Sequence, residues 1–252
     1  MWRQPIEPQT SRMTPTFLLL LLLVLFLYRL LASLPPRLHR ILCGRTLPFF
    51  VQHPILYLLS FGTVPTPAPL PHYHLLVVLG SGGHTAEMLT FLSNVHHPHL
   101  KSVAFFLAKT DQHSQLKAEG WVNSRTQRHP DLKVTFHAIT RSREVGQSWW
   151  STLFTTLLGL FETMYHYWSI TPDVILCNGP GTCLPIVYCG MVCKILGIRS
   201  RTRLVFVESF ARVQSLSLTG VLVYPVVDRF VVQWNQLQQK WPRGTEYIGK
   251  IF

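Results

Sequence analysis

Two glycine-rich turns constrain the fold of this chain more than any other feature. Gly80 to Thr85 directly follows the apolar stretch His74 to Leu79 and precedes the helix-type segment Ala86 to Leu92. A second turn, Gly179 to Thr182, stands between a buried-type strand and an apolar helix. Glycines let the backbone pass close to an anion, and the positive end of the following helix favours negative charge. We therefore expect two phosphate-type loops in one sheet.

The chain after residue 72 alternates strand-type apolar runs with helix-type segments. This alternation is typical of a parallel α/β sheet that is covered by helices on both faces. The predicted fold is therefore an α/β, Rossmann-like parallel sheet. The predicted strands are His74 to Leu79, Ser102 to Ala108, Leu132 to Ile139, Asp173 to Cys177, Arg203 to Val207 and Arg229 to Trp234.

The charge balance narrows the class of partner. Lys and Arg number 23 against 11 Asp and Glu, a formal net charge of +12, so anionic partners are expected. The basic residues are interleaved with apolar ones instead of forming a nucleic-acid-binding arm, which favours a membrane surface or a phosphorylated substrate over nucleic acid. The five cysteines lack zinc-site spacing and fall on apolar segments, so we expect reduced structural cysteines and no metal.

An apolar run near the N-terminus predicts a membrane segment. Residues 17–34 approach the ~20 residues that span a bilayer. A cleaved signal peptide is the alternative, but no clean cleavage site precedes Pro35, which favours an uncleaved, single-pass anchor. Arginines after the run place the C-terminal body in the cytosol. The predicted organisation is a tail at 1–16, the anchor at 17–34, an apolar, Pro-rich linker at 35–71 and a Rossmann-like domain at 72–252.

The segment Ser148 to Ile170 is unusually rich in aromatic residues. It holds three tryptophans, Trp149, Trp150 and Trp168, within one helix-type stretch. A large core helix would explain the apolar residues, whereas rings with a polar edge suit a membrane interface. Both hypotheses stay open at this point, and both hold if they apply to opposite faces of one helix.

The first glycine loop does not match the common nucleotide-binding fingerprints. Thr85 stands where a dinucleotide motif has its third glycine, no acidic residue follows about twenty residues later, and no Gly-Lys-Ser/Thr of a Walker A loop is present. The remaining interpretation is a loop that binds phosphate or pyrophosphate without holding a cofactor tightly. Both loops follow strand ends, so they are expected to converge on one crevice.

His84 and Glu87 are the titratable groups of the first loop. His84 is a candidate general base toward a sugar hydroxyl, a hydrogen-bond donor to phosphate, or a cap of its own helix. Glu87 is expected to compensate the helix dipole. Arg141 and Arg143, after the third strand, either form a solvated loop or reach a bound pyrophosphate.

The order of several stretches resembles a known family. They are Val77 to Glu87, Arg141 to Trp149, Cys177 to Cys183, Val207 to Ser209, Arg212-Val213, Phe230 to Trp234 and Tyr247 to Phe252. Together they resemble the membrane-anchored, non-catalytic subunit of the eukaryotic UDP-N-acetylglucosamine (UDP-GlcNAc) transferase that acts on dolichyl-diphosphate-GlcNAc during assembly of the N-glycan precursor. The resemblance covers nearly all of residues 72–252.

The resemblance implies one lobe of a GT-B glycosyltransferase, the acceptor-side half, similar to that of the bacterial enzyme that glycosylates a lipid-linked peptidoglycan precursor. About 180 residues after the linker make one domain of ordinary size, so the donor half is expected on a separate soluble catalytic subunit. The implied reaction is metal-independent, inverting and free of cofactors, on the cytosolic face of the endoplasmic reticulum. This chain is expected to be inactive alone.

The resemblance also implies roles for individual residues. The acceptor diphosphate would contact the first loop and two arginines, namely Gly80, Ser81, Gly82, Gly83, His84, Thr85, Arg141 and Arg143. The crevice would be lined by Asn178, Gly179, Gly181, Thr182 and Glu208. The apolar tail residues Ile248, Ile251 and Phe252 would contact the catalytic partner. Two alternatives remain, a pure membrane adaptor without a ligand site and an independent nucleotide-dependent membrane enzyme.

Overall fold

The structure is a computed structural model that describes residues 15–33, 72–94, 99–127, 129–142, 147–198, 201–242 and 244–249. The strands are β1 Tyr73–Val78, β2 Leu100–Ala108, β3 Lys133–Ile139, β4 Val174–Asn178, β5 Arg203–Val207, β6 Arg229–Val232 and β7 Glu246–Tyr247. The helices are α1 Pro15–Ser33, α2 Gly83–Asn94, α3 Gln112–Thr126, α4 Trp149–Ile170, α5 Cys183–Ile195, α6 Leu218–Val223 and α7 Asn235–Lys240.

The described strands form one sheet in the order β3-β2-β1-β4-β5-β6-β7, and every neighbouring pair is parallel. The inner strands β1 and β4 are buried along most of their length, which explains their continuous apolar runs. The predicted parallel α/β sheet is confirmed, and the six predicted strands are present with ends that differ by at most two residues. Strand β7 escaped prediction because a two-residue edge strand has no hydrophobic period.

Two hydrophobic cores occupy the two faces of the sheet. Helices α4, α5 and α6 cover one face, where Tyr167 and Val223 pack with Phe206. Helices α2 and α3 cover the other face, where Met88 and Trp121 pack with Phe105. Four cysteines, Cys177, Cys183, Cys189 and Cys193, are buried and free, as expected for small apolar side chains.

The strand order fixes where a ligand crevice forms. The chain winds outward from β1 through β2 to β3, then returns to the other side of β1 as β4. In open parallel sheets, ligands bind at the carboxyl ends of the strands where the order reverses. The loop after β1 and the loop after β4 flank this reversal, and they are the two glycine loops.

The N-terminal apolar run forms helix α1, which contacts α5. Within the ranges that the structure describes, no helix is both long and apolar enough to cross a membrane. The prediction of a helix in this segment is therefore confirmed. The prediction that this helix spans a membrane is not confirmed. Residues 1–14 of the predicted tail and the predicted linker at 35–71 lie outside the described residues.

Candidate functional site

The first glycine loop is held by buried hydroxyl groups. Thr85 Oγ1 lies within hydrogen-bonding distance of the carbonyl of Gly80, and it lies 2.7 Å from Ser114 Oγ on α3. Ser114 Oγ lies 2.7 Å from Asp111 Oδ2 and 3.0 Å from the same carbonyl. Each hydroxyl carries one proton, so Ser114 donates to the carboxylate and Thr85 donates to the carbonyl. Thr85 therefore supports the loop from beneath.

The second glycine loop packs directly on the first. A Cβ atom on Gly80 would lie 2.6 Å from Pro180 Cγ, and one on Gly179 would lie 2.5 Å from His84 Nδ1. Gly179 also has a φ of +61°, a conformation that favours glycine. Asn178 Nδ2 donates to the His84 carbonyl at 2.9 Å. The two loops thus lie in contact at one edge of the sheet, which agrees with the prediction that they converge.

The outer part of the crevice is open at two helix starts. Ser81, Gly82 and Gly83 are exposed at the start of α2. A Cβ atom on Gly82, Gly83 or Gly181 would meet no heavy atom within 4 Å. The positive ends of α2 and α5 therefore lie beside open space that an anion can enter. Thr182, the cap of α5, is buried and makes no side-chain capping bond.

Arg141 extends from the end of β3 to the first loop. Its Nη2 donates to Ser81 Oγ at 3.1 Å. A guanidinium at this place brings positive charge and further N–H donors to the crevice, a combination that suits diphosphate. Arg141 therefore lies beside the first loop, while its predicted contact with a diphosphate stays a prediction. Arg143 lies outside the described residues.

His84 is half-buried, and its ring lies against the second glycine loop. Its Nδ1 is buried and has no hydrogen-bond partner among the described residues. Burial lowers the pKa of His84 below its ordinary value of 6.5; Arg212 lowers it further, and Glu87 opposes both. The imidazole is therefore neutral at neutral pH, which is the form that a general base needs.

Glu87 was expected only to compensate the helix dipole, but it lies beyond the first turn of α2 and contacts the loop that follows β5. Its Oε1 accepts a hydrogen bond from Ser209 Oγ at 2.9 Å, while its Oε2 is buried without a partner among the described residues. The expected role, compensation of the helix dipole, would need no such contact across the sheet. The spacing of three residues from His84 was a usable signal, because side chains so spaced are neighbours on a helix.

Glu208 lies inside the protein and holds the loop that follows β5. Its Oε1 accepts from the backbone N–H of Ser209 at 3.1 Å, and its Oε2 accepts from the N–H and the hydroxyl of Ser217 at 3.0 and 3.2 Å. Burial raises the pKa of Glu208, while these bonds and Arg212 oppose the rise. Only 1% of the Glu208 surface is exposed, so its side chain stabilises the loop after β5 from inside the protein.

Arg212 is exposed, and its charge lowers the pKa of His84. It was not predicted as a site residue.

Unpaired polar atoms are concentrated at this edge of the sheet. Within the described ranges, five buried side-chain atoms lack a hydrogen-bond partner: His84 Nδ1, Glu87 Oε2, Ser142 Oγ, Asn178 Oδ1 and Gln233 Oε1. Ser142, Asn178 and Gln233 lie at or within three residues of the carboxyl ends of strands, and His84 and Glu87 lie on α2, which follows β1. Buried polar groups are almost always paired, so these atoms mark this edge of the sheet as a candidate site for a polar ligand.

The predicted partner-contact tail is only partly described. Ile248 follows β7 and is about half exposed. Ile251 and Phe252 lie outside the described residues.

Comparison with known proteins assigns the family. Residues 75–251 match the family described as "Oligosaccharide biosynthesis protein Alg14 like". The UDP-N-acetylglucosamine transferase subunit ALG14 of Homo sapiens is 41% identical over 189 residues, which cover 73% of this chain and 85% of the human protein. The corresponding subunit of Schizosaccharomyces pombe is 44% identical over 181 residues, which cover 71% of this chain and 83% of that protein. The chain belongs to the Alg14 family. The resemblance drawn from the sequence motifs is thus confirmed.

The Alg14 match includes both glycine loops and Arg141, so the crevice lies within the family region. Among solved structures, the crystal structure of Acinetobacter baumannii MurG is similar with a TM-score of 0.45 and 15% identity. The alignment covers 65% of this chain and 42% of MurG.

Proposed function

We propose that this chain is the membrane-anchoring, acceptor-binding subunit of a two-chain UDP-GlcNAc transferase that adds the second GlcNAc to dolichyl-diphosphate-GlcNAc. The observation that carries the proposal is the crevice between the two glycine loops, where Arg141 reaches Ser81 and unpaired buried polar atoms gather. Two helix starts and a guanidinium suit a diphosphate, and the unpaired polar atoms suit a sugar.

In this proposal the diphosphate lies against Ser81, Gly82 and Gly83, and Arg141 binds its oxygens. His84, neutral at neutral pH, takes the proton from the acceptor hydroxyl. The hydroxyl oxygen then attacks the anomeric carbon of the donor sugar, and UDP leaves from the opposite face with inversion. Glu87 offers an unpaired oxygen for a second sugar hydroxyl.

The donor site is assigned to a soluble partner chain. Relatives in human and fission yeast are named as subunits of the transferase, which supports a division between two chains. This chain represents the acceptor-side lobe of a GT-B enzyme. The exposed Ile248 supports a partner contact near the C-terminus, together with Ile251 and Phe252.

A membrane location completes the proposal. Helix α1 exposes an almost continuous set of apolar side chains between Leu18 and Leu31, a surface that apolar surroundings stabilise. Arg37, Arg40 and Arg45 follow it in sequence, which favours a cytosolic domain. We assign the chain to the cytosolic face of the endoplasmic reticulum.

The decisive experiment reconstitutes the full chain with and without a separately purified donor-binding subunit. Vesicles carry dolichyl-diphosphate-GlcNAc, and transfer from tritiated UDP-GlcNAc is measured. We expect product only when both chains are present. Transfer by this chain alone would contradict the assignment of the donor site to a partner.

A binding measurement on the chain alone tests the acceptor site. Dolichyl-diphosphate-GlcNAc should bind the wild-type chain and bind the Arg141→Ala variant more weakly, while Lys117→Ala, an exposed site on α3, serves as the control. Absence of binding to the wild-type chain would favour the pure adaptor.

A further inference from the structure

The two faces of the sheet carry different outer surfaces. On one face of the sheet, the helices α4, α5 and α6 all expose large apolar side chains. On the other face, Leu116 is the one exposed large apolar side chain among the described residues of α2 and α3. The remaining exposed residues of α3 include Gln112, His113, Lys117 and Asn123. The face formed by α4, α5 and α6, here termed the apolar face, is therefore not the surface expected of a domain in water.

Helix α4 dominates the apolar face. Its exposed large apolar side chains are Trp150, Leu153, Phe154, Leu157, Leu158, Phe161, Tyr165 and Trp168. They recur at helical spacing along one stripe of about 27 Å. Among the described side chains of α4, the other exposed ones are Ser151 and Ser169, so no exposed side chain there is charged. The opposite side of α4 is buried through Gly159, Thr163 and Tyr167, so the stripe is additional to its core contact.

The stripe continues onto neighbouring helices. Tyr188, Val192 and Leu196 are exposed on or just after α5, and Leu218, Val221 and Leu222 are exposed on α6. Helix α1, whose apolar side chains are exposed along its length, contacts α5. The exposed apolar side chains thus lie on α5 and on three helices that contact it, α1, α4 and α6.

We propose that the aromatic stripe of α4 lies in the headgroup and acyl boundary of a lipid bilayer, parallel to the membrane plane. Trp150, Tyr165 and Trp168 have an apolar body and one polar group each, which suits the boundary between hydrocarbon and water. The net charge of +12 complements anionic headgroups. Among the described exposed side chains of α4 none is charged, so burial of the stripe in lipid would remove no exposed charge from water.

The position of α4 links this contact to the crevice. Thr155 Oγ1 donates to the carbonyl of Ser142 at 2.6 Å, so the N-terminal half of α4 is tied to the segment that carries Arg141. Trp150 and Phe154 therefore lie at the same end of the sheet as the first glycine loop. If the stripe lies in the bilayer surface, the first glycine loop would lie near the headgroup region, where the diphosphate of a lipid is located. This consequence rests on the proposed function; the contact itself does not.

Fluorescence quenching on the full chain tests the contact. A Phe161→Cys variant and a Leu116→Cys control are labelled with an environment-sensitive dye in a Cys43→Ser background, because the four described native cysteines are buried. Vesicles of phosphatidylcholine with about 20% phosphatidylserine provide the bilayer. We expect iodide quenching at position 161 to fall about fivefold on addition of vesicles and to change little at 116.

Two outcomes overturn the proposal. One is equal iodide access at positions 161 and 116 in the presence of vesicles. The other is protection of position 161 before lipid is added, either by self-association or by the catalytic partner, which would assign the stripe to a protein interface.

An activity measurement distinguishes this contact from the proposed function. The triple variant Trp150→Ser, Phe154→Ser and Phe161→Ser is compared with Leu116→Ser. We expect transfer to acceptor in vesicles to fall about tenfold in the triple variant only, and transfer to acceptor in detergent to stay within about twofold. An equal loss in both formats would contradict membrane positioning. If the unsubstituted complex shows no transfer in either format, the proposed function fails, while the quenching result still decides the membrane contact.

Discussion

The two glycine loops flank one crevice but are held in different ways. Polar bonds from Thr85 and Ser114 hold the first loop, and its Ser81, Gly82 and Gly83 remain exposed. Apolar and backbone contact holds the second loop, with Pro180 against Gly80 and Gly179 against the His84 ring. The first loop therefore keeps exposed groups at its tip, whereas the second loop packs against the first and limits where those groups can lie.

Replacement of His84 should have the largest effect on activity. His84→Ala removes the proposed base, so transfer by the reconstituted complex should fall ~10²- to 10⁴-fold. The matched control is His113→Ala, an exposed histidine on α3. If the His84 variant keeps activity within threefold of wild type, His84 is not the general base, and the first loop has no chemical role.

A methyl group in the second loop should affect stability and activity together. Gly179→Ala places a side chain at positive φ and against His84, so the free energy of unfolding should fall by about 2 to 4 kcal/mol. Gly181→Ala, in the same loop with open space around it, should leave stability nearly unchanged. Denaturant unfolding measures both, and equal behaviour of the two variants would contradict the positioning role of the second loop.

The hydroxyl support of the first loop should contribute a smaller amount. Thr85→Val keeps the volume but removes the donor to the Gly80 carbonyl, which should cost about 1 to 2 kcal/mol in unfolding free energy. Thr126→Val is the control, because its hydroxyl bonds to the Val122 carbonyl of its own helix. No difference in unfolding between the two variants would show that packing, and not hydrogen bonding, holds the first loop.

Arg141 tests whether the first loop binds charge. Arg141→Ala should weaken binding of the lipid diphosphate about tenfold, roughly 1.4 kcal/mol, and reduce its salt dependence. Arg141→Lys should recover part of the affinity because it keeps the charge without the planar geometry. Isothermal titration at two salt concentrations measures the effect, and unchanged affinity in Arg141→Ala would exclude a contact with the diphosphate.

The pH profile gives the smallest effect. Because burial lowers the pKa of His84, the neutral base persists below pH 6.5, and the acidic limb of the transfer rate should have its midpoint below that value. The stability that neutral His84 contributes is complete above pH 6.5 and is lost as pH falls through the lowered pKa. A His84→Asn variant should lose this limb. A midpoint above 6.5 would contradict a buried, neutral base.

Much of this architecture could be predicted from the sequence alone. Continuous apolar runs located the six longer strands, since strands covered on both faces need apolar residues at nearly every position. The rule for open parallel sheets then predicted that the loops at Gly80 and Gly179 share a crevice. The position of Arg141 after a strand end left two possibilities open, a solvated loop or a pyrophosphate contact, and the structure shows its bond to Ser81.

Other parts of the site were not accessible in this way. Glu87 and Ser209 are 122 residues apart in sequence, and Asn178 bonds to His84 across 94 residues. No local sequence pattern predicts such pairs, because the distance between the two residues depends on how the intervening strands and helices pack. Glu208 was expected to line the crevice, yet its side chain is buried and bonded within the loop that it supports.

The sequence by itself determined the order of strands and helices, the two glycine turns and the family, because these are properties of local spacing and motif order. Only the tertiary structure decided which side of the segment from 148 to 170 packs on the sheet and which side remains exposed. Hydrophobic period shows that a helix has apolar residues on several sides, but burial depends on the neighbours that cover each side. Tyr167 is covered, whereas Phe161 is not.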